Sequence, residues 1–225
     1  MKRYPVVLML FLALSVIPLF AFAEISNEGI KSLPALIGAA KKDVEPVRQN
    51  AIRILGDLKA EEAVPLLTNY LGQETDTETT LIVQIASLEA LNKIGTSESI
   101  SALEQYGLKH KNDRIVLAVA ELLIFKKKEK AVSALNSLAN SIDPGIRYQA
   151  ATFLIENKEK TGIPILIGLL QEKKYLRSAI NSLKNVTGYL PCSYPTVVRK
   201  EFNEEYTKKW RDWWENNKNT FEFKK

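Results

Sequence analysis

An internal repeat constrains this chain more than any other feature. The apolar strings "LPALIGAA" from Leu33, "VPLLTNYL" from Val64, "ISALEQYG" from Ile100, "VSALNSLA" from Val132 and "IPILIGLL" from Ile163 are copies, starting 31, 36, 32 and 31 residues apart. Serine replaces proline in the third and fourth. The long interval contains "GQETDTETT" (Gly72 to Thr80), which has loop composition. Upstream of the later four strings, and once more after the last, lie three columns four residues apart. Val47, Val83, Ile115, Ile146 and Tyr175 form one, and Ala51, Ser87, Val119, Ala150 and Ala179 the next. Leu55, Leu91, Leu123, Leu154 and Leu183 form the third. A spacing of four places each set on one face of a helix, and the small middle column lets a neighbour approach closely.

Each unit is therefore expected to be two helices. The first starts near an acidic cap, Asp43 in "DVEPVR" or Asp143 in "DPGIR". The second starts at the proline-containing string, where a proline in the first turn removes no intrahelical bond. No segment shows sustained period-two alternation, so strands are not expected.

"DPGIRYQAATFL" and "VRQNAIRILGDLKAEEAVPLL" resemble HEAT repeats of the short bacterial type, with their D-P-x-V-R-x-x-A and L-G-x-L…A-V-P-x-L signatures. The resemblance runs from about Gly29 to Gly188. The signature arginine is kept at Arg48 and Arg147 and replaced by Gln84, Val116 and Leu176, and "FKKKEKAV" lacks the usual glycine. The resemblance implies an all-α, right-handed α-solenoid of about five HEAT-like helix pairs. In such a stack each pair buries itself only against its neighbours, so the ends need caps.

The tail is the natural candidate for one cap. After the connector "YLPCSYPT", a helix is expected from about Val197 to Asn217. Val198, Phe202, Tyr206, Trp210, Trp213 and Trp214 share an arc of roughly 160° on its wheel. The polar arc alternates in sign, which disfavours a membrane-surface helix. A docked cap is preferred to an exposed glycan or partner platform, because three exposed indoles would make a large apolar patch. Trp214, at the arc's margin, is the ring expected to remain for a partner. The layout of Thr187, Gly188, Trp210, Trp213 and Trp214 also resembles the tails of exported bacterial HEAT-repeat proteins.

The N-terminus reads as an export signal at residues 1–23. It has a basic start, an apolar run from Val6 to Ile17, Pro18, and small residues at Ala21 and Ala23 in an A-x-A arrangement. Retention as an anchor is the alternative, since Pro5 to Ala23 approaches the length of a span. The solenoid then occupies 24–188, and the connector and cap helix 189–225. The product is expected in the periplasm or outside the cell, soluble after cleavage. Cys192 stands alone, so no internal disulfide is available; a half-buried small hydrophobe or an intermolecular pair are both open.

Enzyme signatures are missing from the sequence. His110 sits in the polar turn "KHKND" without other ligands at metal spacing. No nucleophile elbow, P-loop, zincin or dinucleotide motif occurs, and no cofactor or metal is expected. Lys2 and Arg3 supply two of the formal +5 charges, leaving too small a surplus for nucleic acid. Export and this thin basic surface argue against the bilin lyases and DNA glycosylases among similar repeats. "KKKEK" (Lys126 to Lys130) reads as a solvated turn between helices.

If the second helices line the concave side, as in similar solenoids, the register gives a ladder of Ile37, Thr68, Glu104, Asn136 and Ile167. Gly38, Asn69, Gln105, Ser137 and Gly168 flank it. A polar, nearly uncharged surface with isolated isoleucines suits a protein or peptide. The functional expectation is thus a non-enzymatic scaffold or adaptor for another cell-envelope protein. The alternative is a small-molecule or glycan-binding module built on the tryptophan helix.

Overall fold

In the computed structural model, described over residues 33–41, 45–74, 77–192 and 200–223, all regular structure is helical. The helices are α1 (Leu33–Ala40), α2 (Val47–Asp57), α3 (Val64–Leu71), α4 (Glu78–Ile94), α5 (Ser97–Ala102) and α6 (Asp113–Leu123). They continue with α7 (Lys128–Ser137), α8 (Pro144–Glu156), α9 (Gly162–Gly168), α10 (Leu176–Thr187) and α11 (Lys200–Asn217). Residues 1–32, with the expected signal, and Asp43 lie outside the described residues. The chain divides into two compact units, ending and starting at Gly107 and Leu108, between the second helix of one pair and the first of the next.

The fold is an α-solenoid type of helix-pair stack, and the columns explain its cores. Leu55, Leu91, Leu123, Leu154 and Leu183 are all completely buried, as is the small middle column apart from a trace at Ala51. In the first unit α1 packs on α2, α2 on α4, and α3 on α4. In the second, α6 packs on α7, α8 on α9, and α9 on α10. A close approach lies beside the small column: a Cβ on Gly56 of α2 would stand 2.7 Å from Ala90 Cα of α4.

Local chemistry sets the boundaries. Asp143 caps α8, its Oδ1 accepting from Gly145 N at 2.7 Å, and Pro144 follows as the first helical residue. Thr77 caps α4, accepting from Thr80 N at 3.1 Å. Glu78 to Thr80 thus begin a helix, although their composition suggested a loop; the cap outweighs the poor propensity of two threonines. Helix α2 ends in a Schellman arrangement, with Ala60 N donating to Leu55 O and Lys59 N to Gly56 O, both at 3.0 Å. Lys59 takes the left-handed conformation there (φ 52°), and Lys158 does the same after α8 (φ 64°).

The repeat arginine acts between pairs. Arg147 donates to Ser141 O at 2.6 Å and Ile142 O at 3.3 Å, and also bonds Glu172 in the turn before α10. Gln84 replaces part of this function: it is buried, and its Nε2 donates to Gln73 O at 2.7 Å. Val116 contributes apolar burial instead.

Helix α11 docks on α9 and the 3-10 turn that follows it (Leu169–Gln171). Tyr206, Trp210 and Trp214 join Leu166, Ile167 and Leu183 in one cluster. Placed against α9 beside α10, α11 stands where a fifth pair's second helix would, although a connector precedes it. A polar seam fixes its register: Asn203 Nδ2 donates to Leu170 O at 2.9 Å, and Gln171 Nε2 to Thr207 Oγ1 at 2.7 Å. Cys192 is half-buried and packs on this cluster.

Candidate functional site

The second helices present an exposed ridge, but its register differs by one position from the expected ladder. Gly38, Asn69 and Gln105 are exposed in the first unit, and Ser137 and Gly168 in the second. Ile37, Thr68, Glu104 and Asn136 are only half-buried, turned toward the flank of the ridge. The structure corrects the outward placement of Ile167, which is 2% exposed. Its position faces the neighbouring second helix, and docking of α11 on α9 covers it.

Trp214 is corrected likewise, at 9% exposure. The chain turns after α11, Phe221 N donating to Asn217 O at 2.8 Å, and the Phe221 ring closes on Trp214 at 5.9 Å and 69°. A wheel drawn for one helix cannot contain this return of the tail. The half-buried indole is Trp213, and Tyr189 already stacks on it at 5.0 Å and 9°. Trp210, Trp214 and Phe221 pack around that ring as well.

In the second unit the ridge borders a groove of about 440 Å³, lined by Asn136, Ala139, Arg147, Thr161, Pro164, Ile165 and Gly168. It is open along α7 and α9. Its lining combines a side-chain amide, a hydroxyl, three apolar side chains and one guanidinium. Because Glu172 and two carbonyls hold that guanidinium, Arg147 supplies an ordered, largely neutralised edge and little free charge. The groove is open at Gly168, where an added Cβ meets nothing within 4 Å. The groove was not legible in the sequence, because Thr161 and Ala139 belong to turns between helices.

Chemistry for catalysis is sparse. No group of three or more metal-ligating side chains occurs among the described residues. His110 Nδ1 accepts from Asn112 N at 3.0 Å within its own turn. No described helix is long and apolar enough to cross a membrane. Among the described residues, the strongly perturbed acid is Glu121 on α6, pushed up to about 7 by burial and by the nearby Glu156 carboxylate. Its folded value lies above the ordinary 4.5, so the favourable contribution is present below about pH 4.5 and lost as pH rises through about 7. Stability should fall across that window by up to about 1.4 kcal/mol per pH unit at its steepest. Glu121→Gln should match the parent near pH 4 and exceed it at pH 8 in denaturant melts. Parallel pH profiles of the two proteins would refute this.

The family model for HEAT repeats matches residues 19–82 and 33–124. HEAT repeats are thereby found in the first part of the chain, and the residues beyond 124 continue the same buried columns. No curated protein matches the sequence.

Proposed function

We propose that this chain is a non-enzymatic docking protein that binds a protein segment on the ridge of its second helices. The supporting observation is the groove along α7 and α9, whose lining is mostly apolar, with Ala139, Pro164 and Ile165, and carries Asn136 and Thr161 as uncharged polar groups. HEAT repeats commonly serve protein–protein scaffolding, and helix-pair stacks offer long surfaces for it. Amide and hydroxyl groups beside small apolar patches suit an extended peptide's backbone and occasional side chains. Export to the cell envelope belongs to the same proposal; its support is the basic start, apolar run and A-x-A pattern of residues 1–23. The glycan-platform reading has less geometric support, since Tyr189 covers a face of Trp213, the more accessible ring of the three.

Gly168→Trp provides the test. Its Cβ meets nothing within 4 Å, its indole adds bulk at the lining of the groove, and leaving glycine favours the helix. Proteins of the native envelope captured by the parent should be lost with Gly168→Trp at an unchanged melting temperature. Gly38→Trp makes the same test on the first unit, where the added Cβ is likewise unobstructed. Identical capture by both variants would defeat the proposal.

A further inference from the structure

Three segments meet along one edge of the second unit. The turn between α6 and α7 carries Phe125, Lys126 and Lys127 and leads into Lys128 and Lys130. An ion pair of 2.7 Å between Lys128 and Glu159 joins it to the turn between α8 and α9, which also carries Lys158 and Lys160. Lys158 in turn lies 5.4 Å from the ring centroid of Phe223, after α11. Phe125 is 90% exposed at this edge, and all residues from 125 to 130 are exposed.

Either feature alone would be ordinary. A single apolar side chain on a surface requires no explanation, and lysines prefer water. Their conjunction is different, because both depart from what stabilises the isolated fold. A fully presented phenyl ring at a turn tip gains nothing from packing. Lysines at the start of α7 oppose the helix dipole, where acids are favoured, and Lys127 provides no side-chain cap. Glu129 and Glu159 in the two turns, and Glu156 and Glu222 beside them, offset four of the six lysine charges and leave a surplus of two. The edge carries an exposed ring at Phe125, followed directly in sequence by Lys126, Lys127 and Lys128. That arrangement suits a fluid interface that can adapt to it, whereas a folded protein partner needs a matching pocket.

We propose that this edge docks on an anionic lipid surface, with the Phe125 ring entering the interface and the lysines lying at the phosphate level. The lysines supply attraction within a Debye length, and the ring supplies a short-range apolar contact; together they give the two signals that peripheral attachment requires. The edge shares no lining residue with the groove of α7 and α9, although Lys160 and Thr161 are neighbours in one turn.

The test uses the full chain. Its apolar run from Val6 to Ile17 can reach lipid by itself, so the readout is placed on the edge. Phe125→Cys in a Cys192→Ser background carries a nitrobenzoxadiazole label whose emission reports entry into lipid. With vesicles of about 30% phosphatidylglycerol in phosphatidylcholine at ~0.1 M salt, emission should rise and shift to the blue. It should stay unchanged with phosphatidylcholine alone, and reverse at ~0.5 M salt. Replacing Lys126, Lys127 and Lys130 by glutamine should raise the lipid concentration needed for half the response by about ten-fold or more. A label at Gly168→Cys should not respond. The proposal fails if position 125 stays in water while the protein is on the vesicles, which would assign binding to the N-terminal run. It fails equally if both lipids give the same response or if the glutamine variant responds unchanged. A response to polyglutamate without one to vesicles would instead make the edge a site for an acidic protein.

Discussion

Trp210→Ala should destabilise the second unit by about 3–5 kcal/mol, the largest loss expected from any single side-chain truncation in the tail. The indole is completely buried. It meets Tyr189 edge-on at 5.2 Å and Trp213 at 6.0 Å, and shares a cluster with Leu166, Leu170 and Leu183. Removing it leaves a cavity between α9, α10 and α11 that three separately anchored helices cannot collapse. A shift on the order of 10 °C or more in the melting temperature follows for a unit of this size. Trp213→Ala should cost far less, on the order of the ~0.5–1.5 kcal/mol associated with an aromatic pair plus partial burial. Parent emission should be blue and poorly quenched by acrylamide. Equal losses for the two variants, or a red and fully quenched parent signal, would mean that α11 is not docked as described.

Gly56→Val should have the next largest effect, at about 3 kcal/mol, in the first unit. An added Cβ would lie 2.7 Å from Ala90 Cα and 2.9 Å from Ala90 Cβ. Both sides of that contact are helix backbone or its first side-chain atom, so no rotamer change relieves it. Only separation of α2 from α4 does, and that opens the buried contacts of Leu55 and Leu91. Gly38→Val, placed where nothing lies within 4 Å, should leave stability unchanged or slightly raised. Thermal melts of these two variants check the prediction, and a Gly56→Val protein melting with the parent would overturn it.

These two positions show where sequence reading succeeds and where it stops. Trp210 was legible as a buried residue because its own helix wheel places it among Tyr206, Trp213 and Trp214. Gly56 was visible as part of a repeat signature, yet the expected closest approach lay in the column of Ala51 and Ser87. That column is buried, but the tight contact between α2 and α4 pairs Gly56 with Ala90. The rotation of one helix against another sets that pairing, and periodicity within each helix does not report it.

The candidate ridge divides in the same way. Its polar, nearly uncharged character was legible at Asn69, Gln105 and Ser137, which are exposed. Ile167 looked equivalent to Ile37 and is not, because α11 lies beside α9. The groove itself required turns distant in sequence, Ala139 and Thr161, to stand beside Asn136 and Gly168.

By itself, the sequence determined that the chain is helical, that its helices come in pairs, and which leucines are buried. Those facts follow from spacings of three and four residues and a recurring string, which are properties of single helices. Only the tertiary structure decided that Ile167 and Trp214 are covered, that Trp213 is stacked on Tyr189, and that Phe125 is left in water. Burial depends on which neighbour arrives at a face. At the end of a repeat array that neighbour is supplied by a tail that follows no repeat.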